Sequence, residues 1–208
     1  MSAVVNAPSA RQTELLEAAY RYVLVQGFGQ LSLRPLAKAI GSSPRVLLYL
    51  FGSKDGLVRA LLARARADEL ALLDEVRGAG ERESDGLGAI AERVWSWLVA
   101  EEHRALLTLW VEGYGRSLVD PHGPWGGFAR ATVEDWMTVL ADAQPAADRD
   151  TNEAQAQRTL VLAVLRGALL DVLATGDAER TTTAVRQQLT ALRSANTPTS
   201  PADLNESS

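Results

Sequence analysis

The chain has 208 residues, of which 47% are hydrophobic and 23% are charged, and its formal net charge is −5. This composition supports a folded core of one domain or two small ones and excludes fibrous, collagen-like and disordered chains. With no cysteine and two histidines, the chain lacks the residues for a disulfide framework, a thiol nucleophile or a cysteine-ligated or histidine-rich metal centre. We therefore predict no metal and no cofactor.

The sequence shows no membrane or export signal. Its longest apolar runs, such as residues 160–165, are far shorter than the roughly 18 residues of a membrane-spanning helix. The first six residues lack the basic start and apolar core of a signal peptide. We expect a cytoplasmic protein with no membrane contact.

The charge is unevenly distributed along the chain. The first 60 residues contain seven basic and three acidic groups, a net charge of +4, whereas the remaining 148 contain 14 basic and 23 acidic groups, a net charge of −9. An acidic isoelectric point near 5.1 argues against a nucleic-acid partner, whose phosphates require a basic surface. The first 60 residues, with their net charge of +4, can nevertheless provide such a basic surface.

The predicted elements are all helical. Residues 1–8 and 196–208 are rich in Pro, Ser, Thr and Asn, and we expect both segments to be flexible tails. Between them, apolar residues recur with the helical period and almost no alternating strand pattern appears. The sequence predicts an all-α chain of about nine helices.

Two helices are predicted before residue 42. An apolar stripe from Leu15 to Val23 forms the first, which ends at Gly27. Ser32 is a suitable N-cap for a short second helix, and Gly41 suits the left-handed position after it.

A third short helix is predicted from Pro44 to Leu50, because Ser43 followed by proline is a typical helix start. Ser53 then caps a long fourth helix, with Asp55 in its first turn where an acidic group is favourable. The later helices are predicted over 86–102, 104–118, 127–143, 152–175 and 178–194.

Two short helices joined by a tight turn, inside a basic segment, are typical of a helix-turn-helix unit. The chain resembles the N-terminal domain of TetR-family transcriptional regulators over residues 11–62. The resemblance is carried by RQTELLEAA at 11–19, Gly27, LSLRPLA at 31–37, Ile40-Gly41 and FGSKDGL at 51–57. It implies a DNA-binding domain over residues 9–56 and a helical ligand-binding and dimerisation domain over residues 57–195.

The third helix is predicted to pack Leu47 and Phe51 inward, which turns Arg45 and Tyr49 outward toward the major groove. Arg45 carries the fork that recognises guanine, while Tyr49 is suited to a phosphate and Val46 to a thymine methyl group. The other predicted DNA contacts are Arg34, Ser42, Ser43, Pro44 and Lys54, the last being similar to the family's phosphate-binding lysine.

The third helix also departs from the family pattern. The family's usual threonine, tyrosine and frequent histidine fall on Val46, Leu48 and Leu50, so three polar contacts are absent. Whether Tyr49 replaces the missing tyrosine stays open. Because of this departure, an alternative interpretation remains open. The protein would then be a helical ligand-binding or adaptor protein with a weakened DNA-binding head.

The acidic part of the chain supplies candidates for two further surfaces. The resemblance implies a homodimer paired through the last two helices, where we predict an interface of Leu160, Val164, Gly167, Ala168, Asp171, Val185, Leu189 and Leu192. It also implies an effector pocket among the middle helices, for which we predict Trp95, Trp110, Glu112, Tyr114 and Trp136. An ordinary apolar core uses similar residues.

The chain contains no GxSxG, GxxxxGK[ST] or HExxH motif, and neither His103 nor His122 has an identifiable partner. We predict that the protein is not an enzyme. The combined interpretation is a dimeric, ligand-responsive transcriptional regulator, a repressor released from operator DNA by a small-molecule effector.

Overall fold

The computed structural model describes residues 9–29, 31–78 and 86–195, apart from the side chains of residues 76, 77 and 193–195. This part of the chain is all-α, as predicted, and the predicted flexible tails lie outside it. Its nine helices are α1 (Ala10–Gln26), α2 (Leu33–Ala39), α3 (Pro44–Phe51), α4 (Lys54–Gly78), α5 (Gly86–Leu98), α6 (Arg104–Val119), α7 (Phe128–Asp142), α8 (Asn152–Thr175) and α9 (Ala178–Ala195).

The structure shortens one predicted helix. The segment predicted over 86–102 forms α5, which ends at Leu98, followed by a separate 3-10 turn at Glu101–His103. The amide of Ala100 bonds to the carbonyl of Trp97 at 3.2 Å, three residues back, and this tighter pattern ends the α-helix. Helix α1 begins at Ala10, five residues before the predicted apolar stripe, whereas the ends predicted for α2, α3 and α6 to α9 agree to within one or two residues.

The helices divide between two compact units. Unit 1 contains the described residues up to Leu73 together with Glu102–Asp135, and unit 2 contains those of Asp74–Glu101 and those from Trp136 onward. The predicted boundary after residue 56 does not coincide with this division, because the first part of α4 and all of α6 pack with the N-terminal helices.

Unit 1 is built around one apolar cluster. Its members come from α1, α2, α3, the first part of α4, α6 and the start of α7, so the short helices share a core with the longer ones. The central buried side chains are Leu15, Ala19 and Val23 of α1, Leu36 and Ala37 of α2, Leu47 of α3, Leu57, Leu61 and Ala65 of α4, and Leu109 and Phe128.

A polar network fastens α1 to α4 inside unit 1. The Arg64 guanidinium donates to Glu17 at 2.6 Å and to Asp68, and it lies 4.9 Å from the centre of the Tyr20 ring. The Tyr20 hydroxyl donates to Asp68 at 2.8 Å. Burial, together with this hydrogen bond to a carboxylate, raises the pKa of Tyr20 above its usual value. The shift favours the protonated hydroxyl that donates to Asp68.

Unit 2 is formed by α5, α8, α9 and the second part of α7. Helix α5 packs on both α8 and α9, which pack on each other, and the indole nitrogen of Trp95 donates to the Thr182 hydroxyl at 3.0 Å. The buried Arg158 donates to the Gln144 side chain at 2.6 Å and to the Arg149 carbonyl at 2.7 Å, which fixes the loop before α8.

The turn from α3 to α4 is unusually tight at Gly56. A Cβ atom at this position would lie 2.0 Å from the backbone oxygen of Phe51, which cannot move aside as a flexible side chain can. The Gly56 amide donates to the Ser53 hydroxyl at 2.9 Å, and this bond caps α4 as predicted. Glycine at this point therefore sets the angle at which α4 leaves α3.

We expect Gly56→Ala to lower the free energy of unfolding by more than about 2 kcal/mol, because the added methyl group forces backbone to shift. Gly115→Ala is the matched control, since this exposed glycine inside α6 has nothing within 4 Å of an added Cβ. It should raise stability by about 0.5–1 kcal/mol. Denaturant unfolding measures both changes, and equal stability of the two variants would contradict the role of Gly56.

Candidate nucleic-acid interface

The turn between α2 and α3 is fixed by backbone hydrogen bonds. Gly41 has a φ of +65°, a left-handed conformation that glycine adopts readily. The Ser42 amide bonds to the Ala37 carbonyl at 2.8 Å and the Gly41 amide to the Lys38 carbonyl at 3.4 Å. This is the Schellman arrangement that ends a helix and satisfies its last carbonyls. The turn therefore has a defined geometry, as the helix-turn-helix prediction requires.

Helix α3 is held at its start, its middle and its end. The Ser43 hydroxyl accepts from the Val46 amide at 3.3 Å, and Pro44 occupies the first turn where its missing N–H costs little. The side chain of Leu47 is 1% exposed and anchors the helix in the core of unit 1. Gln12 of α1 donates to the carbonyl of Leu50 at 3.0 Å, a contact that sequence reasoning did not identify.

The opposite side of α3 faces solvent. Arg45 and Tyr49 are both exposed, Tyr49 at 85%, in agreement with the orientation predicted from the spacing to Leu47. Val46 is 37% exposed and Leu48 is 39% exposed. A helix of eight residues thus presents one arginine among three apolar or aromatic side chains.

Exposed cations lie on the helices around this face. Arg34 and Lys38 of α2, together with Lys54 and Arg59 of α4, are exposed, and no ion pair joins them to another described residue. Cations without a carboxylate partner are available to bind phosphate. Lys38 and Arg59 were not predicted as contacts, although the net charge of +4 in the first 60 residues already included them.

The two predicted serine contacts are less accessible than expected. The Ser43 hydroxyl is engaged in capping α3, although the residue is exposed. The Ser42 hydroxyl oxygen is shielded from solvent and has no hydrogen-bond partner within the described chain. The Ser42 amide is also engaged, with the Ala37 carbonyl, so in this conformation neither group of Ser42 is free to donate to DNA.

Four side chains of unit 1, which we call the α6 latch, join the end of α1 to α6 and the loop after it. They are Phe28, Glu112, Arg116 and Trp125. The Glu112 carboxylate accepts from the Phe28 amide at 2.7 Å and from Arg116 at 3.0 Å. Arg116 lies 5.1 Å from the centre of the Trp125 ring, which in turn meets the Phe28 ring edge-to-face at 4.8 Å. Each member thus contacts two others.

The latch gives Glu112 partners within the protein, whereas the sequence suggested it as an effector contact. No local pattern in the sequence indicates this arrangement, because Phe28 and Glu112 are 84 residues apart. The acidic group satisfies a backbone N–H just past the end of α1, before the helix-turn-helix begins.

The remaining predicted pocket residues belong to both units. In unit 1, the rings of Trp110 and Tyr114 lie 5.4 Å apart, and the buried Trp110 indole nitrogen has no hydrogen-bond partner among the described residues. In unit 2, Trp95 is 2% exposed and Trp136 is 6% exposed.

The predicted dimer residues fall into two groups. Val185 and Leu189 are 2% and 0% exposed and pack inside the protomer, so they are unavailable to a second copy. Leu160 and Gly167 are exposed, Val164, Ala168 and Leu192 are half-buried, and Asp171 is bound to Arg180 at 2.8 Å. Hydrogen bonding to Arg180 lowers the pKa of Asp171.

The exposed face of α8 extends beyond the predicted residues. Positions spaced alternately by four and three residues are all exposed and uncharged, and they are Ala156, Leu160, Ala163, Gly167, Leu170 and Ala174. We call this row the α8 stripe. Its spacing is that of a helix seam that packs against another helix.

Comparison with known proteins agrees with this architecture. Residues 15–61 match the family model described as "Bacterial regulatory proteins, tetR family". This range includes α2, α3 and the apolar positions at which the chain departs from the family pattern. A search of the curated proteins gives no significant match.

Solved structures match over nearly the whole chain. A putative TetR-family transcriptional regulator from Rhodococcus sp. is 19% identical with a TM-score of 0.67, and the match covers 88% of this chain and 98% of that one. The multidrug binding protein EbrR, complexed with proflavin, is 25% identical with a TM-score of 0.67, covering 88% and 99%. A TetR transcription regulator from Haloarcula marismortui is 20% identical with a TM-score of 0.66, covering 89% and 97%.

None of the described helices is long and apolar enough to cross a membrane.

The helix-turn-helix, the exposed cations around it and the match of residues 15–61 lead to one assignment. Residues 15–61 match the DNA-binding domain of TetR-family regulators, and the described chain has the fold of solved TetR-family transcriptional regulators.

Proposed function

We propose that the protein is a homodimeric repressor that binds operator DNA through α3 and is released from it by a small-molecule effector. The observation that carries the proposal is the exposed Arg45–Tyr49 face of α3, flanked by cations that have no ion pair in the described chain. Arginine on such a face recognises guanine, while the flanking cations neutralise phosphates. Repression requires only that the bound protein occupies its operator.

The α8 stripe supports the dimer. A single helix-turn-helix makes few contacts, so such units commonly bind paired half-sites as dimers. From residue 155 to residue 175, every exposed position of α8 is uncharged. Small residues such as Gly167 permit close approach of a second helix, while Leu160 and Leu170, at 43% and 52% exposure, supply apolar area. A second copy related by a two-fold axis would bury the same stripe on both protomers.

Two observations in unit 1 support an effector response through α6. The Trp110–Tyr114 pair lies on α6, and the unpartnered Trp110 N–H is a donor that a ligand can use. Glu112 follows two residues later on the same helix and bonds to the Phe28 amide. A ligand that favours a displaced α6 would also displace the chain that leads into α2 and α3. The likeness to EbrR, which was solved with proflavin and with imidazole, is consistent with an aromatic effector.

The function is tested by selecting bound duplexes from genomic fragments and measuring their affinity as a function of salt. A repressor of this kind binds selected sites tightly with a steep salt slope. The alternative of a ligand-binding or adaptor protein with a weakened head predicts little salt-dependent affinity for any duplex. Addition of small aromatic compounds to the bound complex then tests the release.

We expect Arg45→Ala to weaken operator binding by about 1–3 kcal/mol and to change binding to random DNA little, because a base contact is lost. Lys54→Ala should weaken both equally and reduce the salt slope by about one, because a phosphate contact is lost. Fluorescence anisotropy over a salt series measures both effects. Arg130→Ala, at an exposed arginine of α7, is the control. Equal losses on both duplexes for Arg45→Ala would contradict its contact with a base.

Gly167→Glu is expected to convert the dimer to a monomer and to reduce operator affinity at least tenfold, because it places a charge in the middle of the α8 stripe. Analytical ultracentrifugation measures the assembly. Val25→Glu introduces the same charge at an apolar residue of α1 that is 79% exposed, and it should remain dimeric. A dimeric Gly167→Glu protein would show that the chains pair elsewhere.

Glu112→Gln is expected to lower the melting temperature by about 2–4 °C and to weaken operator binding, although the residue lies on α6. The neutral amide still accepts from Phe28 but loses the ionic bond to Arg116, a loss of about 1 kcal/mol. Calorimetry and DNA titration measure the two effects. Glu134→Gln, which removes the exposed ion pair with Arg130 on α7, should change neither. A Glu112→Gln protein with the wild-type melting temperature and operator affinity would show that the latch does not couple α6 to DNA binding.

A further inference from the structure

Helix α3 has very few groups with which to hydrogen-bond a base. Its sequence, PRVLLYLF, contains no Asn, Gln, Asp, Glu, Lys, Ser or Thr. Leu47 is buried, and Leu50 and Phe51 pack against the core of unit 1. The side chains left to meet DNA are Arg45, Val46, Leu48 and Tyr49, of which only the first and the last carry a hydrogen-bonding group.

The order of these side chains around the helix is fixed. At about 100° per residue, Arg45 and Tyr49 lie in the centre of the exposed face, opposite the buried Leu47. Val46 lies on one flank of this centre and Leu48 on the other. The exposed face therefore has Arg45 and Tyr49 at its centre and one apolar side chain on each side.

Base pairs differ in what they offer to such a face. Guanine presents two acceptors to an arginine fork, whereas the only apolar group that any standard base presents in the major groove is the 5-methyl group of thymine. Val46 and Leu48 remain partly exposed in this structure, at 37% and 39%, so contact with a methyl group removes apolar surface from water. A cytosine or adenine amino group placed against either side chain would lose its hydrogen bond to water without replacement.

We propose that each operator half-site carries a guanine contacted by Arg45 with thymines on both sides of it, and that Val46 and Leu48 recognise those thymines through their 5-methyl groups. The inference rests on the proposed function, because it requires specific binding to duplex DNA. The occupant of the face is DNA rather than another protein, since the exposed cations Arg34, Lys38 and Lys54 around it match a polyanion.

The test compares the selected operator with duplexes in which thymines are replaced one at a time by deoxyuridine. This replacement removes the 5-methyl group and leaves every hydrogen-bonding group of the base unchanged. We expect affinity to fall about fourfold at each contacted thymine. The salt slope should stay the same, because no phosphate contact is lost. Deoxyuridine outside the half-sites should have no effect.

Protein variants assign each methyl group to its side chain. With Val46→Ala, deoxyuridine at one thymine position should no longer lower affinity, and with Leu48→Ala the same should hold at the position on the other side of the guanine. Neither residue belongs to the buried cluster of unit 1 or packs against it, so neither substitution removes core packing. Leu118→Ala, at a leucine of α6 that is 65% exposed, is the matched control and should keep the full response to deoxyuridine.

Two results overturn the inference while the proposed function stands. One is specific, salt-dependent binding that deoxyuridine leaves unchanged at every position, and the other is a selected half-site without thymine beside the guanine. Absence of specific binding to any duplex overturns both the inference and the proposed function.

Discussion

The burial of Leu47 is the constraint on which the recognition surface depends. Helix α3 has only eight residues, and an isolated helix of that length is unstable in water. One fully buried leucine contributes about 1.5–3 kcal/mol, and the Ser43 cap and the bond from Gln12 to Leu50 add to it. Because Leu47 faces the core, Arg45 and Tyr49 must face solvent. The same contact therefore stabilises α3 and orients it.

The α6 latch connects the segment before the helix-turn-helix to α6, a helix far away in the sequence. Glu112 is an acceptor for the Phe28 amide, and Arg116 holds both Glu112 and the ring of Trp125. Helix α6, which is outside the helix-turn-helix, is thus hydrogen-bonded to Phe28, in the segment between α1 and α2. Under the proposed function, this connection is a route by which an effector bound at α6 would favour one position of the recognition helices.

The charge distribution favours approach of DNA to one part of the chain. The first 60 residues carry +4 and the rest carry −9, so an approaching duplex is attracted to one part of the chain and repelled by the other. The exposed arginines and lysines on α2, α3 and the start of α4 have no ion pair within the described chain. The α8 stripe is uncharged, which suits pairing with another copy and not contact with phosphate. Charge thus distinguishes the exposed cationic residues of the first 60 positions from the α8 stripe.

The sequence by itself determined the helices and the outward face of α3. Local signals were sufficient there, because Ser43, Pro44 and the glycines at 27, 41 and 52 act within one or two turns of where they stand. The exposure of Arg45 and Tyr49 followed from helical spacing alone. Periodicity likewise located α8 and α9 as apolar helices, whereas the assignment of Leu160, which the structure leaves exposed, to an interface came from the family resemblance.

Only the tertiary structure decided which partners distant residues have. Periodicity distinguishes apolar from polar faces, but it does not tell a core contact from an interface, so Val185 and Leu189 were assigned to a dimer and pack inside the protomer. Glu112 was assigned to an effector and bonds to a backbone amide 84 residues away. The first part of α4 and α6 joined unit 1 for the same reason. Such pairings depend on how helices pack in space, and the spacing of residues along one helix carries no information about them.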